Sequence, residues 1–284
     1  MLPTALLGAF QAHGGELRTK SLVTRIRCDR SRVVGVTLLD GTEIDAPIVV
    51  SACDPRRTFV EWLSGAPDSA RPMVDRWNAM ALHEGYESKL DAVLSDAPWY
   101  PALADHPDAA VAMIPTAVVA PSVAEMHQAA ADLPKGLAPR FPVFLVNVPT
   151  ALDPTMAPPG RHVFSLEVLL TPYGIQGGWP GSPEPRRWLE QYAALAQPGF
   201  LDTVVDHRVM TPDRYETEFH LPYGHATSFA GGPLAALRSK QPELTRYETA
   251  VPGLFLTGAA TFPGAGVWGA SGRNCALTVL RKRS

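Results

Sequence analysis

GAATFPGAGVWGASGRN, residues 258–274, is the stretch whose reading decides the fold. It follows an apolar run, residues 254–258, that has the length and composition of a short buried strand. After the glycine-rich loop, 259–269, a helical pattern runs from 270 to about 280. Gly264, Gly266 and Gly269 satisfy GxGxxG between a strand and a helix, but three features argue against a dinucleotide fingerprint. The first glycine lies too far past the strand for a tight turn, and only one helix follows, so no βαβ unit is completed. No Asp or Glu occurs after Glu248, so the acidic ribose ligand expected downstream is absent. What the pattern does provide is backbone that can approach a flat or anionic ligand closely, ahead of a helix start that favours negative charge. The alternative is a glycine-rich turn that only packs helix on strand. A serine nucleophile elbow at 269–273 fits poorly, since Arg273 stands where a glycine is required and no Asp-then-His pair follows Ser271.

Outward from this segment, the front of the chain is also sharply patterned. Leu6, Leu7 and Phe10 recur at helical spacing, and Gly14-Gly15 end the helix. Strands are expected at 16–19, 21–28, 32–39 and 42–46, with Asp40-Gly41 as a hairpin turn, followed by a buried strand over 48–52. Residues 58–197 mix helical stretches with Pro- and Gly-rich loops, 174–185 among them. Within them 141–148 and 162–170 read as neighbouring strands, and 184–196 as a helix.

Composition narrows the function. Apolar residues at 46% and charged residues at 19% describe a globular chain, and a formal net charge of -3 leaves no broad footprint for nucleic acid. Three widely spaced cysteines form neither a disulfide framework nor a zinc pattern, which points to reduced, mostly buried thiols in a cytoplasmic protein. No uninterrupted apolar run reaches spanning length; the closest, 109–124, is broken by Pro115 and Pro121. That segment either lines a channel for a lipid-like substrate, touches a membrane surface, or is plain core. Trp62, Trp77, Trp99, Trp179 and Trp188 fit an apolar pocket or ordinary packing equally well. Among the histidines, His220 and His225 do not share a helix face, and His83 beside Glu84 is a surface pair more readily than a proton-transfer pair. Arg56-Arg57 reads either as a phosphate contact or as a solvated helix start.

The residues resemble a known family. TAVPGLFLTGAATFPGAGVWGASGRNCA, 249–276, is similar to the C-terminal signature of phytoene-desaturase-like FAD oxidoreductases, of the flavin amine oxidase superfamily. The front block, with its double glycine, LVTRI strand, DGTEI hairpin and IVVSACDP, resembles the middle segment of the same proteins. The resemblance implies that backbone at Val23 meets the adenine, that Gly258 and Ala259 approach the pyrophosphate and ribityl chain, that Val267, Trp268, Gly269 and Ala270 meet the flavin ring, and that Gly266 also belongs to the cofactor-binding set. Ala259 stands where many of the wider group carry an acid, and Phe262 where histidine is common, so no protein acid or base is assigned. The opening strand and true GxGxxG of the family have no counterpart here, so a missing N-terminal segment, or a complementing N-terminal chain, is expected to supply the phosphate cradle.

The fold expected is α/β, α+β in part: an incomplete FAD-binding Rossmann-like domain with an inserted mixed-sheet substrate domain. The FAD-binding portion comprises 1–57 and 210–284, the substrate-binding portion 58–209. The implied activity is FAD-dependent hydride removal from an apolar or unsaturated small-molecule substrate, active once the front segment is supplied. A flavin-free module for an apolar ligand or protein, and an inactive truncated remnant, remain the alternatives. Peripheral membrane contact is the remaining partner expectation.

Overall fold

The computed structural model describes residues 2–107, 115–229, 232–266 and 269–283. The chain opens with α1 (Leu2–Ala12), β1 (Val23–Cys28), β2 (Val33–Leu38), β3 (Glu43–Asp45), β4 (Val49–Ser51), β5 (Leu63–Ser64) and α2 (Arg71–Ala79). A second run holds β6 (Glu87–Leu94), β7 (Thr116–Val119), α3 (Val123–Asp132), β8 (Val143–Asn147), β9 (His162–Leu169), α4 (Glu184–Ala193), β10 (Val204–Met210) and α5 (Pro212–Phe219). The last run is α6 (Pro233–Arg238), α7 (Pro242–Arg246), β11 (Leu254–Leu256) and α8 (Ala270–Arg283). These elements form two compact units, one of Met1–Met80 with Thr227–Ser284, the other of Ala81–Ala226.

The first unit contains two sheets. One has the order β3-β2-β1-β5, with β1 antiparallel to β2 and parallel to β5. Its hairpin forms where Asp40-Gly41 requires it. Gly41 adopts φ +85°, and the Asp40 carboxylate accepts the Thr42 amide at 2.9 Å. Asp and Gly therefore suit this turn for separate reasons, one electrostatic and one steric. The other sheet is the parallel pair β4–β11, in register Leu254↔Val49 to Leu256↔Ser51. All three residues of β11 are buried, and Leu254 and Leu256 join Ile26, Phe59, Met73 and Trp77 in one core.

Two expectations at the front of this unit need correction. Residues 16–19 form no strand, because both sides of β1 are already taken by β2 and β5, and a strand without a ladder leaves its amides to water. The first helix forms and ends at the glycine pair, but it buries none of its apolar residues; Leu2, Leu6 and Phe10 are exposed. Phe10 instead folds onto Gly15, where any Cβ would lie 2.3 Å from the ring.

The second unit is built on a five-stranded sheet, β10-β6-β9-β8-β7. The strands at 141–148 and 162–170 are neighbours, as expected. The sheet itself is not mixed: each of its four pairings is antiparallel. An antiparallel sheet tolerates one solvated face, and β6 and β9 alternate buried and half-buried residues accordingly. The buried face, with Leu90, Phe144, Phe164 and Leu166, packs with Trp188 and Tyr192 of α4. The tryptophans at 77, 179 and 188 are core residues, which favours packing over a pocket. Of the 109–124 segment, 109–114 lie outside the described residues, and Thr116–Val119 is the edge strand β7, with Val118 exposed. No helix among the described residues is long and apolar enough to cross a membrane.

Candidate functional site

Strands β4 and β11 run parallel, so their C-terminal ends lie side by side in the first unit. The Thr257 amide donates to the Ser51 carbonyl at 2.8 Å and carries the ladder one residue past β11. At Gly258 the chain turns away with φ +95°, and a Cβ there would sit 3.2 Å from the Ala52 carbonyl oxygen. Glycine is therefore needed at this point for both dihedral and space. The turn is closed on the Gly258 carbonyl by the Thr261 amide at 3.1 Å and the Thr261 hydroxyl at 2.9 Å.

From here to Gly264 the loop is pinned. The Phe262 amide donates to the Leu244 carbonyl at 2.7 Å, and the Tyr247 hydroxyl donates to the Phe262 carbonyl at 2.6 Å. Asn274 on α8 donates to the same tyrosine oxygen at 3.0 Å, which ties the loop to the helix that follows. A strap from 228–229 braces the other side, with the Phe229 amide on the Ala259 carbonyl at 2.9 Å and a Gly264 Cβ position only 2.6 Å from the Phe229 carbonyl oxygen. Farther on the loop opens. Gly266 and Gly269 are exposed, and nothing lies within 4 Å of where a Cβ would stand on either.

The chemistry offered here is uncharged and backbone-led. Between Glu248 and the end of the chain there is no Asp, Glu or His, and the first turn of α8 carries no acid. A helix start without a nearby acid favours negative charge. One side-chain atom of the connection stands out: the Thr257 hydroxyl is buried and has no hydrogen-bond partner among the described residues. A buried hydroxyl without a partner is unfavourable, and is usually explained by a group that the polar atom meets.

The chain is 30% identical to the mouse pyridine nucleotide-disulfide oxidoreductase domain-containing protein 2, over 99% of this chain and 49% of that protein. It is 26% identical to the neurosporene-forming phytoene desaturase of Rhodobacter capsulatus, over 93% of this chain and 48% of the relative. The lycopene-forming phytoene desaturase of a Paracoccus species is 27% identical, over 95% and 51%. The homologues of this chain are thus a pyridine nucleotide-disulfide oxidoreductase domain-containing protein and phytoene desaturases. The chain spans about half the length of the curated relatives it matches. An oxidoreductase from Methanosarcina mazei aligns over 98% of this chain and 53% of its own, at 18% identity and a TM-score of 0.49. No family model matches the chain.

The site residues expected from the phytoene-desaturase resemblance fall into two places. Gly258, Ala259, Gly266, Gly269 and Ala270 share one connection, from the end of β11 to the start of α8. Val23 begins β1 in the neighbouring sheet, opposite Leu38, and among the described residues no hydrogen bond joins it to that connection. Val267 and Trp268 lie outside the described residues. Sequence reasoning missed Thr257, the Ala52 carbonyl, Tyr247 and the Ser228–Phe229 strap. Only Thr257 had a local signal, as the polar residue ending an apolar strand before glycine; the others act through contacts distant in sequence.

The competing candidates do not assemble. Ser271 is buried on α8, and among the described residues no group of three or more His, Cys, Asp or Glu could hold a metal. His83 and Glu84 are exposed, and His83 faces His225 with ring centroids 5.6 Å apart. Arg56 binds the carbonyls of Trp77 and Asn78, and Arg57 pairs with Glu61, so both serve the structure. Cys275 is buried and Cys28 half-buried, but Cys53 is exposed, contrary to the expectation of mostly buried thiols. Burial, with Asp29 adding to it, pushes the Cys28 thiol up to about 11, which keeps it protonated at neutral pH.

Proposed function

We propose that this chain supplies part of an FAD site, and that the completed protein is an FAD-dependent oxidoreductase that removes hydride from an apolar or unsaturated substrate. The observation that carries the reading is the end of β11: at Thr257 a buried hydroxyl without a partner among the described residues, then a left-handed glycine against the Ala52 carbonyl, then the exposed Gly266 and Gly269 ahead of a long helix. These residues fit a flat, electron-rich group approached by backbone. Names of the homologues, phytoene desaturases among them, support the same class.

In this reading the first unit is the FAD-binding portion, an incomplete Rossmann-like domain, and the second is the substrate-binding portion. Gly258 and Ala259 hold the ribityl end by main-chain groups, with the Thr257 hydroxyl donating to the same ligand. Gly266, Gly269 and Ala270 lie along the ring, and the start of α8 stabilises negative charge there. Val23 backs the adenine. Residues outside this chain hold the pyrophosphate. When bound, the flavin supplies the redox chemistry by accepting hydride. The chain's own residues orient it and offer no proton carrier, since no titratable acid or base lies on the connection.

The test is the visible absorption band of the protein isolated from its own cells. A flavin band that Gly258→Val removes at unchanged yield supports the reading. Protein that is colourless, and stays so with added FAD, counts against it.

A further inference from the structure

The residues from 227 onward carry an excess of positive charge. Their acids are Glu243, buried against Arg76 and Trp77, and Glu248, paired with Lys282. Their basic residues include Arg238, Lys240, Arg246, Arg273, Arg281 and Lys282, in a chain whose formal net charge is -3. Arg246, at the end of α7, is exposed, and no carboxylate pairs with it among the described residues. It borders two adjoining clefts that also share Thr245. One, of about 280 Å³, is polar and lined by Asn274, Thr278 and Arg281. The other, of about 420 Å³, is largely apolar and lined by Pro233, Ala236, Leu237, Pro242 and Phe262. Leu237 is 85% exposed at its edge, so the apolar lining of this cleft is open to a ligand.

We infer that these joined clefts bind an anionic amphiphile, its phosphate or carboxylate at Arg246 and its chain along Leu237, Pro242 and Phe262. A guanidinium without a partner is the group suited to a bidentate oxyanion. The adjoining apolar wall selects an ion that carries a hydrocarbon over a free one. The inference does not depend on flavin binding.

Calorimetric titration of the chain with dodecyl phosphate, below its micelle concentration, tests this. Binding is expected, weakened ~10-fold by Arg246→Gln through loss of a charge-assisted contact. Leu237→Ser should weaken it by a similar ~10-fold through lost apolar burial, and both positions are exposed enough for the variants to fold. Arg246→Lys should fall between, and Arg186→Gln on α4 should change nothing. Flotation with phosphatidylcholine vesicles, with and without phosphatidic acid, separates the sources. Flotation only with the acidic lipid, lost in Arg246→Gln, places the amphiphile in a bilayer; titration without flotation places it in solution. Inorganic phosphate binding as tightly as dodecyl phosphate, no detectable dodecyl phosphate binding, or affinity unmoved by both variants would overturn the inference.

Discussion

Glu243 is 2% exposed and accepts three hydrogen bonds, two from Arg76 at 2.7 and 2.9 Å and one from the Trp77 indole at 2.7 Å. These join α7, which precedes β11, to α2. Arg76 is about one-third exposed, so its charge is partly rehydrated when the carboxylate is lost, and the ion pair itself contributes modestly. Glu243→Gln keeps an acceptor for the indole and should cost about 1–2 kcal/mol, the charge-assisted part alone. Glu243→Ala also strands the indole N–H of Trp77, itself only 3% exposed, and leaves a small cavity, so about 3–4 kcal/mol is expected. Urea unfolding followed by far-ultraviolet circular dichroism measures both, with midpoints shifting at constant slope. In a Trp77→Phe background there is no indole to strand, so the Ala substitution should cost about 1–3 kcal/mol less. Equal costs in the two backgrounds, or an Ala variant within about 0.5 kcal/mol of the native chain, would refute the reasoning.

Other substitutions and conditions give further outcomes. Gly258→Ala forces an L-residue to φ +95° with its Cβ 3.2 Å from a carbonyl oxygen, and should lower stability by about 1–2 kcal/mol in the same unfolding assay. Thr257→Val removes a buried hydroxyl without a partner, so thermal unfolding should be unchanged or improved by about 1 kcal/mol while flavin retention falls; a loss of stability would show that the hydroxyl is already satisfied within the chain. The Glu216 carboxylate accepting from Tyr173, and burial of Tyr215 near Glu87, raise both phenols to about 12. The folded chain then keeps protons that the unfolded one releases from about pH 10, so stability should fall as pH rises through that window. Tyr173→Phe and Tyr215→Phe should each remove one late-titrating tyrosine from the phenolate absorbance, leaving the also-raised Tyr100 and Tyr192, and loss of an early-titrating tyrosine in either variant would contradict the geometry.

Local chemistry made much of the framework legible. Asp40-Gly41 announced a hairpin because its conformation is determined by two adjacent residues, and the three-residue core of β11 was plain from its apolar run. Residues 16–19 misled because strand pattern says nothing about whether a ladder edge is free. The mixed middle sheet was misjudged for a related reason: strand direction depends on the connections between strands, which composition does not encode. At the candidate site the glycines were visible in sequence, but the need for each was not. Gly258 and Gly264 face carbonyls of residues far away in the chain, while Gly266 and Gly269 face open space. The Ser228–Phe229 strap had no signal at all, being an ordinary loop that matters only through what it touches.

Amide hydrogen exchange of the flavin-bearing protein, before and after the flavin is stripped, bears most directly on the central idea. Main-chain amides from Thr257 to Ala270 should exchange faster once the cofactor is gone, with those of the second unit's buried sheet unchanged. Identical exchange across that connection in both states would mean that its glycines serve packing alone, and the flavin assignment for this chain would be withdrawn.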